Sequence, residues 1–187
     1  MAARARRASG KARSPAERDP ESPLELALRH LAVRTRSRAE LERHLRRRGV
    51  PPESIPSVVE HCAELGYVDD RAFAAAFVRD RIRLRPRGIA RLRSELRAKG
   101  VDAEDAEAGI RMAFEELGVT EGSLLEAAAA GRWRALRALA PPVRRRRLAA
   151  YLLRRGFPPP DVRRVVAGLS RDEAAPRPRE ETPPAGG

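Results

Sequence analysis

The residues best suited to chemistry in this chain are arginines. From 79 to 87 every odd position is one: Arg79, Arg81, Arg83, Arg85 and Arg87. Arg91 follows, and Arg144, Arg145, Arg146 and Arg147 form a second run. A guanidinium stays charged and presents a planar fork of donors that matches carboxylates and phosphates. Any single arginine on a helix is most simply a solvated charge. Clusters in a chain of formal net charge +13 point instead to an anionic partner. These ten arginines are therefore the candidate partner-binding and nucleic-acid-binding residues. The choice of arginine over lysine carries no weight, because GC-rich coding produces it; Lys11 and Lys99 are the only lysines.

Other chemistries find little support. His61 and Cys62 are adjacent and so point to different parts of a helix surface, while His30 and His44 are isolated. With one cysteine and no ligand spacing, no metal site is expected. There is no phosphate-cradling glycine loop and no helical zinc motif. No nucleophile is paired with a base at a telling spacing, so no catalytic residue is assigned, no cofactor is expected and the chain reads as a binding protein, not an enzyme. Sequence-specific duplex reading is disfavoured because the best adenine readers are Asn and Gln, and the chain has neither. Stacking of single strands is also poorly supported: Phe73, Phe77 and Phe114 sit on apolar stripes. DNA contact, where made, is expected to be weak and non-specific.

The elements that must carry these arginines are helical. Apolar residues are 42% and aromatics only 4%, and the dominant Glu, Arg, Ala and Leu lose little rotamer freedom in a helix. No stretch alternates polar and apolar residues as a strand would.

The chain repeats itself when aligned on Gly49, Gly100 and Gly156. Leucines precede each glycine by eight and four residues: Leu41 and Leu45, Leu92 and Leu96, Leu148 and Leu152. The residue before each glycine is basic and the residue after it apolar: Arg48 and Val50, Lys99 and Val101, Arg155 and Phe157. A second stripe follows: Ile55, Val59, Cys62; Ala106, Ile110, Ala113; Val162, Val166, Leu169. This is a helix, a glycine stop in the left-handed conformation, and another helix. A further helix leads each pair, marked by Leu24, Leu28 and Leu31, by Phe73, Phe77, Val78 and Ile82, and by Leu125, Ala129, Trp133 and Leu136. Ser22–Glu25, Ser37–Glu40 and Ser123–Glu126 read as capping boxes, and Asp69 and Asp102 as caps.

The expected fold is all-α: three tandem three-helix repeats, at 23–68, 69–118 and 119–170, forming an elongated array. Residues 1–22 and 171–187 are rich in Pro, Gly, Ser, Arg and Glu without periodicity and are expected to be disordered tails. The single cysteine excludes an internal disulfide, and no apolar run reaches a membrane span. The first twenty residues hold no secretory apolar stretch. A cytoplasmic monomer that does not enter a membrane is expected.

The segments that carry the repeats resemble the RecX family of RecA regulators. They are Ala27 to Gly49 (ALRHLAVRTRSRAELERHLRRRG), Leu65 to Val78 (LGYVDDRAFAAAFV), Arg87 to Val101 (RGIARLRSELRAKGV) and Arg147 to Phe157 (RLAAYLLRRGF). Together they span nearly all of 23–170, and their combination in order is specific. The resemblance implies tandem three-helix repeats that bind the RecA nucleoprotein filament and modulate, mostly by inhibition, its growth, ATP hydrolysis and strand exchange. It places the chain in recombination, DNA repair and the SOS response, with weak DNA contact. A general DNA-binding protein, a helical scaffold for another acidic protein and an undetected enzyme remain the other readings.

Overall fold

A computed structural model describes residues 21–174. Among them are nine α-helices and no strand: α1 (Pro23–Leu31), α2 (Arg38–Arg47), α3 (Ile55–Glu64), α4 (Asp70–Leu84), α5 (Ile89–Lys99), α6 (Ala103–Leu117), α7 (Glu121–Ala135), α8 (Pro141–Arg154) and α9 (Pro159–Ala174). The expected all-α tandem three-helix architecture is present. The tails expected to be disordered lie outside the described residues except at their inner ends, where Ser22 caps α1 and α9 continues to Ala174.

Local signals set the helix boundaries. Ser22 Oγ accepts the Glu25 N–H at 3.2 Å while the Glu25 carboxylate accepts the Ser22 N–H at 2.8 Å, a complete capping box. Asp69 accepts the Ala72 N–H at 2.9 Å and Asp102 the Asp105 N–H at 2.8 Å, as expected of caps. One start differs. The cap of α7 is Thr120, with Ser123 as its reciprocal partner three residues on. Ser123 is thus inside the helix, because Thr120 offers the same hydroxyl cap one turn earlier.

The aligned glycines Gly49, Gly100 and Gly156 have φ of 78°, 83° and 82°, the left-handed stop that the repeat requires. The leucines four and eight residues before them are fully buried in every repeat.

The described residues pack as two units: 21–35 with 41–68, and 36–40 with 69–174. In the first, Leu41, Leu45, Ile55, Val59 and Cys62 form the centre of one apolar core. In the second, α4 to α9 share a single core running from Phe73 and Val78 through Leu92, Leu96 and Ile110 to Trp133, Leu148, Leu152 and Phe157. Repeats two and three are therefore joined by continuous apolar burial, the term that dominates folding free energy.

A polar joint recurs within this second unit. The residue one before a glycine stop offers its carbonyl to the position twelve before the preceding stop. Ser37 Oγ donates to Lys99 O at 2.8 Å, and Gly88 N–H donates to Arg155 O at 2.9 Å. At the second joint the backbones touch: a Cβ on Gly88 would lie 2.2 Å from Gly156 O. That contact fixes the loop after α4, with its arginines, against the end of α8.

Candidate partner-binding surface

The α4–α5 corner gathers most of the arginines expected to act together. Glu95, on α5 between Leu92 and Leu96, is their hub. Arg81 Nε lies 3.1 Å from Glu95 Oε2, Arg91 Nε lies 2.8 Å from Oε1, and Arg87 also pairs with Oε1. The Arg81 guanidinium also sits 4.3 Å from the Phe77 ring centroid. Partial burial, then the positive charges of Arg81, Arg91, Arg155 and Arg85 in that order, pull the Arg87 pKa below its ordinary value. Five guanidiniums thus crowd a neighbourhood in which, among the described residues, Glu95 is the carboxylate that pairs with them and Glu121 is engaged by the Ile89 N–H. Such a site is under-neutralised and favours a further anion.

The remaining candidates divide by environment. Arg79 is neutralised by Glu116, at 2.5 Å, across to α6. Arg83 and Arg85 are exposed and make no side-chain hydrogen bond or ion pair among the described residues. The same holds for Arg145, Arg146 and Arg147 on α8. Arg93, next to this set, is held in a two-pronged pair by Glu107. That bond and the charge of Arg93 lower the Glu107 pKa despite its partial burial.

Arg144 has to be removed from the partner-binding set. It is 5% exposed. Its guanidinium donates from Nε and Nη2 to Trp133 O at 3.1 and 2.8 Å and from Nη1 to both Glu173 oxygens at 2.5 and 2.6 Å. The physical reason is helical phase. Arg144 stands four residues before Leu148 and eight before Leu152, on the stripe that faces the core.

Residues outside the ten candidate arginines complete the surface. The Tyr151 ring, on α8, lies 5.2 Å from the Arg132 guanidinium and 4.8 Å from that of Arg155. Arg155 Nη1 donates to Pro86 O at 3.2 Å, which ties α8 to the α4–α5 loop. Leu84, at the end of α4, is 73% exposed. It falls two residues past Ile82, off the buried stripe of Val78 and Ile82, and that misfit is the one sequence signal that marks it.

Among the described residues no group of His, Cys, Asp or Glu is arranged to hold a metal ion, and no helix is long and apolar enough to cross a membrane. The corner thus holds guanidiniums of two kinds, some neutralised internally and some exposed without an ion pair among the described residues.

Comparison with known proteins finds the same three-repeat order. Models of the first, second and third three-helix domains of RecX match residues 24–62, 69–110 and 121–166. The regulatory protein RecX of Chlorobaculum tepidum is 32% identical over 154 residues, covering 82% of this chain and 92% of that one. That of Halorhodospira halophila is 38% identical over 155 residues, covering 82% and 91%. The crystal structure of RecX from Lactobacillus salivarius shares the fold, with a TM-score of 0.67 at 19% identity over 80% of this chain and 95% of that one. With the three repeats matched in order and relatives aligned over nearly their whole length, the chain belongs to the RecX family of regulatory proteins.

Proposed function

We propose that the chain binds the RecA nucleoprotein filament and restrains its growth, ATP hydrolysis and recombinase activity. The single observation that carries this reading is the set of unneutralised arginines held on rigid elements of the second unit: Arg83 and Arg85 at the α4–α5 corner, Arg145, Arg146 and Arg147 on α8. A nucleoprotein filament is polyanionic and periodic. Helix-borne charges held in fixed register can meet it at several points, and weak contacts then add through effective concentration. Family membership supports the regulatory role. The setting is cytoplasmic recombination, DNA repair and the SOS response, and the acting species is a monomer.

Direct DNA contact is secondary in this reading. Without amide side chains to read adenine, the arginines contact phosphates irrespective of sequence. Filament length on single-stranded DNA, imaged as the protein is titrated against RecA, tests the proposal. Filaments should shorten with increasing protein. Unchanged lengths at saturating protein would leave general DNA binding as the better reading.

A further inference from the structure

A groove of about 560 Å³ opens within the second unit, where the end of α4 meets α7 and α8. Leu84, Arg85, Gly131, Arg132, Tyr151 and Arg155 are among the residues lining it, and among the described residues no acidic one lines it. Two features set its chemistry. Three guanidiniums line one concavity without a carboxylate. Beside them stands Leu84, a large apolar side chain left 73% exposed. Exposed leucines are ordinary on their own. One that lines a concave cationic groove is positioned for a ligand that is both anionic and apolar.

A nucleic-acid strand fits this pairing poorly. Bases need a free aromatic face for stacking, whereas the Tyr151 ring is already engaged by Arg132 and Arg155, and Leu84 offers no plane. A carboxylate suits a guanidinium fork as well as a phosphate does, and a peptide can bring an apolar side chain with it. We propose that this groove takes an acidic peptide segment of a partner protein, seating one large apolar side chain against Leu84 and carboxylates on Arg85 and Arg132. This goes beyond filament binding, because it defines the chemistry of a docked protein segment and requires no nucleic acid.

The test uses the full chain and a fluorescein-labelled synthetic peptide in which one leucine is flanked by aspartates and glutamates. The controls are the same peptide with leucine replaced by serine, and an oligothymidylate of equal charge. Gly131 is exposed and an added Cβ there meets nothing within 4 Å, so Gly131→Leu fills the groove without disturbing α7. Arg132→Glu serves as a second, independent variant.

The leucine peptide should bind about tenfold more tightly than the serine peptide. Each variant should weaken it by about tenfold, with helicity unchanged by circular dichroism. Oligothymidylate binding should not respond to Gly131→Leu. The proposal is overturned by equal affinity for the two peptides, by leucine-peptide affinity that survives Gly131→Leu, or by absence of peptide binding. It is also overturned if Gly131→Leu weakens the oligothymidylate as much as the peptide, which would make the groove a nucleic-acid site.

Discussion

The Arg144 guanidinium lies 3.7 Å from the centroid of the Trp133 ring and donates two hydrogen bonds to the backbone carbonyl of that same tryptophan. One residue thus supplies a ring face and a carbonyl to one buried cation, and Glu173 balances the charge from the last turn of α9. The run 144–147 is therefore a structural arginine followed by three that face solvent.

From this arrangement Arg144→Ala should destabilise the protein by about 2–3 kcal/mol, since it removes a buried side chain packed on the Trp133 ring and both of its bonds to the Trp133 carbonyl, which keeps only the Leu136 N–H. Arg146→Ala should change stability by less than about 0.5 kcal/mol, as expected of an exposed position. Urea unfolding of the two variants checks the contrast.

The glycine stops should differ in tolerance. At Gly49 an added Cβ meets nothing within 4 Å, so Gly49→Ala should cost only the left-handed backbone penalty, about 1–2 kcal/mol. At Gly156 the Cβ would fall 2.7 Å from Arg91 N, and at Gly100 2.3 Å from Ala39 Cβ. Gly156→Ala and Gly100→Ala should each cost clearly more than Gly49→Ala. Equal losses in thermal or urea unfolding would show that close approach adds nothing to the backbone requirement.

Asp70 should give stability an unusual pH dependence. Burial raises its pKa above the ordinary 3.8, with the Arg38 N–H at 2.8 Å pulling the other way and Asp105 adding to the rise. A raised carboxylate contributes stability that is present below 3.8 and is lost as pH rises through the folded-state value. Asp70→Asn keeps an acceptor for Arg38 and removes the charge. The stability of this variant relative to the parent should therefore be greater at pH 7 than near pH 4. A difference that is constant with pH, measured by urea unfolding, would contradict the assignment.

Cys62 should resist alkylation in the native protein. Its side chain is fully buried, and burial pushes the thiol pKa up, leaving little reactive thiolate. Labelling should proceed only through opening of the first unit and accelerate in urea. Rapid native labelling would show that the α3 core is looser than its packing implies.

Much of this organisation is legible in the sequence because it is local and periodic. Leu92 and Leu96 four apart, the glycine four residues later and Asp102 as the next cap are short-range signals, and each governs its own helix. The position of Arg144 was legible by the same period, but a run of four identical residues hides its phase unless it is set against Leu148 and Leu152. The Glu95 hub was only partly so. Arg91 is its helical neighbour four residues away, whereas Arg81 and Arg87 reach it through the turn of the chain between α4 and α5. The groove had no local signal beyond the misplaced Leu84, because Arg132, Tyr151 and Arg155 meet it only once repeats two and three share a core.

The hub also decides which charge reversals are informative. Reversing Arg81, Arg87 or Arg91 would set a new carboxylate against Glu95 and strain the corner itself. Arg83, Arg85, Arg145, Arg146 and Arg147 have no such obligation among the described residues. The most direct measurement is steady-state ATP hydrolysis by RecA on single-stranded DNA, titrated with the parent protein and with a variant carrying Glu at these five positions. The parent should suppress hydrolysis, and the variant, equally helical, should need about tenfold more protein or fail altogether, because fixed charge complementarity sets the encounter and its register. Suppression by the variant at the parent's potency, or no suppression by the parent, would contradict the account.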